Sequence, residues 1–449
     1  MGAAREGGLY PYLSDYKGVM KSHHTSVLEQ ANDYLLGLFI TERNKRNIER
    51  MNEQTNTNYQ RQHHFISHSP WSASDAMGIT ARKCQQRLGN WQEQAYSIDE
   101  SSVRKSGKDS VGVSAQYNGN LGKVENSQTG VYASLSRGKQ VGLINARLFL
   151  PDSWIDDPKR CKKAGVPKEA RVKKTKIELA LDMIKEDLSR GIRFGWINAD
   201  GLYGNSSHFC NSIEDMGENF VVDVHKDQHV FLNDPTIYLP ALASKKGRPP
   251  TRLKTDDVAV EAIKYCQTLK KSDFKKKKIR KGTKGWIKSF VHTKRVWVWD
   301  GKEPKARRRT LIICKSITND EIKFALSNFD QNQKTLQEFA FMQSQRFWIE
   351  RAFEDCKGEL GMADYQVRKY ISWYHHQALF FMAMDYVNEI KTNHQKAVPL
   401  LSARDVRLLM IAQLMHDGVR MEKEVKDLLI RHKQRKKDIL IYYPQNDYF

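Results

Sequence analysis

Apolar positions recur at helical spacing through "TSVLEQANDYLLGLFI" (25–40) and through "SPWSASDAMGITARKCQQRLG" (69–89), where Ser72 is placed as an N-cap and Asp75 stands at the third helical position. This pattern predicts a helical region over 1–92. From about residue 94 the period shortens to two, and strands are expected at 94–99, 122–135 and 141–150, the last two joined by a "SRGKQ" turn. Helical spacing returns after Pro167 in "EARVKKTKIELALDMIKEDLSRG" (169–191), with Ile177, Leu181, Ile184 and Leu188 on one stripe. A strand at 194–200, a short helix at about 206–216 and a strand at 219–225 complete a β-β-β-α-β-α-β order. Further strands are expected at 296–300 and 310–314. A single long helix is then predicted from Lys334 to Cys356, with Gly358 as its stop, followed by helices at about 371–391, 402–416 and 421–436.

The fold class that follows is α/β, and the 449 residues suffice for two or three domains. The expected divisions are a helical N-terminal region (1–92), the first part of a mixed core (93–226), a β-rich basic insertion (227–332), the last part of the core (333–395) and a helical C-terminal region (396–449). The longest apolar runs, such as "ALFFMAM" (378–384), fall short of the ~20 residues that span a bilayer, and no apolar signal core opens the sequence. Gly2 does not complete a myristoylation motif, because Glu6 stands where Ser or Thr is required. A cytoplasmic protein is expected. Cys84, Cys161, Cys210, Cys266, Cys314 and Cys356 form no close pair, which fits a reducing compartment and offers no zinc knuckle.

Charge changes this picture most. The net charge is +22, and residues 245–309 alone hold 23 Lys and Arg against six Asp and Glu, a local surplus of 17. Lys and Arg that displace condensed counterions gain affinity for a polyanion. "FKKKKIRKGTKG" by itself would read as a solvated loop. The same segment, however, contains "GWIKSFVHTKRVWVWDG", where Trp286, Trp297 and Trp299 alternate with basic and β-branched residues as on a base-stacking strand. Nucleic acid is therefore the expected partner, with Lys275, Lys276, Lys277, Lys278 and Arg280 as contacts, and no membrane. "KKGRPP" supplies Lys245, Lys246 and Arg248 and has the composition of a minor-groove hook, and equally of a turn. Trp297 and Trp299 fit contact with an unstacked base, and alternating Trp in a strand also fits core packing.

Two aspartates, Asp99 in "YSIDES" and Asp200 in "INADGLYG", are expected at strand ends, where ligands bind in open α/β sheets and where Asp also serves plain turns. In "SQRFWIERAFEDCKGELG" (344–361) Arg346, Glu350 and Lys357 fall within roughly 40° of one another at ~100° per residue. Such a stripe can be a solvated face with i,i+4 ion pairs. Three carboxylates on separate elements can also hold a pair of hard divalent cations, which need oxygen ligands.

These stretches resemble the DDE transposases of bacterial insertion sequences, more narrowly the insertion-sequence "four" clan and its "seven-oh-one" group. The clan signature Y-x2-R-x3-E-x6-K is matched by Arg346, Glu350 and Lys357, with Gln343 in place of the tyrosine. "HFISHSPW" (64–71), "SIDESSVRKSGKDSVGVSAQYNGNLGKVENSQTGV" (97–131), "ADGLYG", "GRPP" and "IERAFEDCKGELGMADYQVRKYISWYHHQALFFMA" (349–383) resemble the narrower group in order, over roughly residues 60–415. The resemblance implies an RNase H-like catalytic core interrupted by the basic insertion. It implies Asp99, Asp200 and Glu350 as catalytic residues and ligands of two Mg2+ (or Mn2+) ions, with Arg346 and Lys357 on DNA phosphate. It further implies double-stranded DNA as substrate, recognition of terminal inverted repeats, a homodimer in the synaptic complex, no small-molecule cofactor and a nucleoid-associated location. A metal-dependent nuclease that cuts without joining and a non-catalytic DNA-binding regulator are the alternatives.

Overall fold

A computed structural model describes residues 9–118, 122–241, 250–282, 285–319, 321–414 and 418–442. Helices α1 (Leu28–Ile40), α2 (Ile48–Thr55), α3 (Tyr59–Ser67) and α4 (Ala73–Leu88) lead the chain. Strands β1 (Ala95–Arg104), β2 (Ser114–Asn118), β3 (Lys123–Arg137) and β4 (Gln140–Leu148) follow. Next come α5 (Lys176–Ser189), β5 (Trp196–Asn198), α6 (Ser207–Asp215), β6 (Val221–Val224) and α7 (Ala262–Thr268). The basic segment supplies β7 (Lys275–Gly282), β8 (Gly285–Val298), β9 (Arg307–Ser316) and β10 (Ile322–Ser327). The chain continues with α8 (Leu336–Ser344), α9 (Phe347–Glu359), α10 (Tyr370–Asn393), α11 (Ala403–Leu414) and α12 (Gly418–Tyr442).

The chain forms two units. One comprises Met1–Trp91, Asp99–Arg193 and Trp348–Phe449, the other Gln92–Ile98 and Phe194–Phe347. In the first, α10 is buried on nearly every side from Ser372 to Val387, with His375, His376, Gln377 and Asp385 among its buried residues. Helices α1, α3, α4 and α11 and strand β4 pack around it. Caps set the surrounding helices: Ser72 accepts from the Asp75 N–H at the start of α4, and Thr175 with Glu178 forms a capping box that opens α5. That box explains why α5 begins at Lys176 rather than 169. Strand β3 is buried from Ser127 through Ser136 and pairs antiparallel with β4 through a tight turn whose Gly138 has φ of 58°. Strand β2 was not anticipated; "SAQYN" pairs antiparallel with the start of β3.

In the second unit, Ala95–Ser97 of β1 pair in parallel with β5, and Ile197 of β5 bridges Phe220 in parallel. The strands of the basic segment and β6 form one antiparallel sheet in the order β7-β8-β9-β10-β6. Helix α8 covers one face, burying Phe339, Ala340 and Met342 against Val221, Val291, Ile312 and Ala325.

The continuous helix expected from Lys334 to Cys356 is two helices. Thr335 and Glu338 box the start of α8, but the Ser344 hydroxyl donates back to the Phe341 carbonyl at 2.7 Å and to the Ile279 carbonyl of β7. These side-chain bonds compete with the helical ladder. The break falls at Gln345–Arg346, and α9 runs past Gly358 to Glu359. Gly361, with φ of 74°, follows; a Cβ there would lie 2.9 Å from Arg46 and Leu38 side-chain carbons.

Candidate active site

Asp99 does not end its strand, since β1 continues to Arg104; its Oδ1 accepts from the Glu100 N–H at 2.8 Å. Lys357 projects from α9 in the same unit. Burial lowers its ammonium below the ordinary lysine value, and the Asp99 carboxylate is the charge that opposes this shift. The two residues stand 258 positions apart in the sequence. Glu350 stands exposed on α9, flanked by the buried Ile349, Ala352 and Phe353 that anchor the helix. The other charges on α9 pair among themselves or with a neighbouring helix: Arg351 with Glu354 at 2.9 Å and Asp355 at 2.8 Å, and the half-buried Glu359 with Arg407 at 3.5 Å.

Asp200 belongs to the second unit and does follow a strand. It caps the turn Gly201–Gly204, accepting from the Leu202 N–H at 2.9 Å while its carbonyl accepts from Gly204 at 2.8 Å. The two glycines are required by close approach. A Cβ on Gly204 would sit 1.9 Å from the Asp223 carbonyl oxygen, and one on Gly201 would sit 2.5 Å from the His225 ring.

Arg346 is drawn to a residue that the sequence did not flag. Its Nε donates to Oδ2 of Asp223 on β6 at 3.0 Å, and Gln343 Nε2 donates to Asp223 Oδ1 at 3.1 Å. Burial raises the Asp223 carboxyl above the usual aspartate value, against the opposing charge of Arg346. An acid inside the apolar run "FVVDV" was the available signal.

On the basic sheet, Lys275, Lys276 and Lys278 are exposed on the edge strand β7 and Lys277 is half-buried. Lys278 pairs across the hairpin with Lys288, Lys276 with the exposed Phe290, and the Lys278 ammonium lies 5.2 Å from the Trp286 ring centroid. Like charges opposite one another destabilise a hairpin, so this surface gains from an anionic partner. Arg280 instead stacks its guanidinium 3.5 Å above the Phe347 ring. Trp297 is bridged through its backbone to Phe231, and the Trp299 indole N–H donates to the Glu303 carbonyl at 2.8 Å within the β8–β9 connection. Lys245, Lys246 and Arg248 lie outside the described residues.

Asp99 and Glu350 thus belong to one unit and Asp200 to the other. Their oxygen donors suit a hard divalent cation. Among the described residues no three His, Cys, Asp or Glu side chains form a metal-binding cluster, and no helix is long and apolar enough to cross a membrane.

Residues 16–286 match the family of DDE superfamily endonucleases, which is more than half of the chain. The chain belongs to the DDE superfamily of endonucleases. The matched span contains Asp99 and Asp200 and ends before Arg346, Glu350 and Lys357, so within this DDE endonuclease the third acid rests on its motif spacing. The chain is 30% identical over 174 residues to a probable transposase for insertion sequence element IS701 of Microchaete diplosiphon. That alignment covers 38% of this chain and 42% of the relative, so the chain spans less than half the length of the curated relative it matches. A cryo-EM structure of the piggyBac transposase synaptic complex with hairpin DNA aligns over 93% of this chain and 78% of that one. With 11% identity and a TM-score of 0.40, a likeness that faint fixes no detail of this endonuclease.

Proposed function

We propose that this DDE endonuclease is an insertion-sequence transposase with an RNase H-like core, acting on double-stranded DNA. It binds the terminal inverted repeats of its element, hydrolyses the ends and joins the resulting 3′-OH groups to target DNA. Asp99, Asp200 and Glu350 act together as the ligands of two Mg2+ or Mn2+ ions. When bound, the ions activate the attacking oxygen and neutralise the leaving one. Lys357 and Arg346 hold the phosphate beside the carboxylates, where cationic partners offset the negative charge of the reacting group. No covalent protein intermediate is required. Two copies of the chain pair the two ends. The observation that carries the reading is the half-buried Lys357 of the signature, whose ammonium feels the Asp99 carboxylate within one unit.

A strand-transfer assay on paired inverted-repeat DNA with Mg2+ tests it. Joined products are expected; cleavage without joining would establish a nuclease, and end binding without cleavage a regulator.

The edge strand β7 gives a separate expectation. Replacing Lys275, Lys276, Lys277 and Lys278 with Gln weakens end binding and lowers the log–log salt slope by about one for each lysine that neutralises a phosphate. Binding measured from low to high salt checks this; an unchanged slope would leave the run a passive edge.

A further inference from the structure

Asp223 occupies a position where a carboxylate is costly. β6 reads Val-Val-Asp-Val, and alternation puts Val222 and Val224 on one face of the sheet and Val221 and Asp223 on the other, which α8 covers. A charge largely withdrawn from water, as the 20% exposure of this side chain shows, is held by pairing and hydrogen bonds. Both of its oxygens are engaged, and both donors come from the end of α8: Gln343 in its last turn and Arg346 in the break that follows. Lys323, on the neighbouring β10, adds a further positive charge, and the Cys314 thiol on β9 is held up partly by the Asp223 charge.

Gln343 is also the residue that stands where the signature has tyrosine. Its amide is committed to Asp223, so its task is tied to the same carboxylate that holds Arg346. An arginine bound through Nε to a fixed carboxylate loses the freedom of its long stem, and its guanidinium plane is set by the partner. The bonding edge that Asp223 takes is the Nε side.

We infer that Asp223, steadied by Gln343, is a positioning residue that fixes the guanidinium of Arg346 for phosphate. The inference rests on the transposase reading above. Asp223 touches no DNA in this scheme; it acts through Arg346. Residue misplacement of about 1 Å near a reacting phosphate costs on the order of 100-fold in rate, so the effect belongs in kcat rather than in DNA affinity.

The experiment compares wild type, Asp223→Asn, Arg346→Lys and the double variant by single-turnover cleavage of inverted-repeat DNA with Mg2+, together with DNA affinity, thermal midpoint and the NMR signal of the Arg346 Nε–H. Asp223→Asn is expected to keep the thermal midpoint and DNA affinity, to expose the Nε–H to fast solvent exchange, and to slow cleavage by about 100-fold. The double variant is expected to be no slower than Arg346→Lys alone, because the two act as one unit. Additive losses, an Asp223→Asn enzyme that cleaves at the wild-type rate, or equal losses of stability, affinity and rate would overturn the positioning role. A wild-type protein that retains the protected Nε–H signal yet neither binds nor cuts end DNA overturns the transposase reading itself, which none of the variant comparisons does.

Discussion

Asp99→Ala, Asp200→Asn and Glu350→Ala are each expected to slow cleavage of element-end DNA by about a thousandfold or more, with affinity for that DNA kept near wild type. A thousandfold corresponds to about 4 kcal/mol of transition-state stabilisation, the scale expected when a divalent ion loses a carboxylate ligand. The substitutions are chosen so that folding does not confuse the result. Glu350 is exposed, and alanine at such a surface position typically moves stability by no more than about 0.5 kcal/mol. Asp200 caps the turn after β5, and its asparagine variant retains an acceptor for the Leu202 N–H. Asp99 accepts from the Glu100 N–H, and the thermal midpoint of its alanine variant separates lost folding from lost chemistry. Removing divalent ions with a chelator should abolish cleavage by the wild type, and Mg2+ or Mn2+ should restore it. Single-turnover cleavage and a gel-shift titration on the same DNA check the set. Glu350→Ala is the most informative member, because the family match ends before it. If that variant still cuts at the wild-type rate, the motif spacing has picked the wrong acid.

Much of the architecture was legible because local rules govern it. Ser72 caps its helix with its own side chain, and the β3–β4 hairpin turns at a glycine with positive φ. On α9, Arg351 pairs with Glu354 and Asp355 at the i,i+3 and i,i+4 spacings that a helix brings side by side. Features set by distant partners were not legible. The helix break at Gln345–Arg346 depends on Ile279 and Asp223, which lie 65 and 123 residues from their partners Ser344 and Arg346. Periodicity over 334–356 is blind to both. The extension of β1 beyond Asp99 was missed because "ESSVR" carries too many polar residues to read as a strand on its own. Likewise, nothing in the run of lysines at 275–278 announces that it pairs as an edge strand with β8.

Asp364→Ala is expected to destabilise the first unit by about 3–5 kcal/mol, the cost of leaving a buried charge without its partner. Arg46 has no exposed side-chain surface, and Asp364 keeps only 5%. Arg46 Nη1 lies 3.1 Å from Asp364 Oδ2, while its other near acceptor, the Gly358 carbonyl, is at a marginal 3.5 Å. Burial and the charge of Arg407 already lower the Arg46 guanidinium below its ordinary value, and Asp364 counters them most, with Glu359 adding to it. The same carboxylate accepts from the Asn44 N–H at 3.0 Å, so its loss also frees a loop amide. A second cation depends on it: the Lys105 ammonium, 3.6 Å from the Tyr365 ring centroid, is pushed down by burial to about 7, with Asp364 opposing the shift. An ordinary surface ion pair would contribute at most about 1 kcal/mol, so the size of the loss separates the two cases. Denaturant unfolding measures it. Replacing both partners, as in Arg46→Met with Asp364→Leu, should recover much of the loss, because a buried pair exchanged for apolar groups of similar volume is often neutral. A single variant that unfolds within about 1 kcal/mol of wild type would show that the Arg46 charge finds water or another acceptor, and that the pair does not hold the α1–α2 connection to the end of α9.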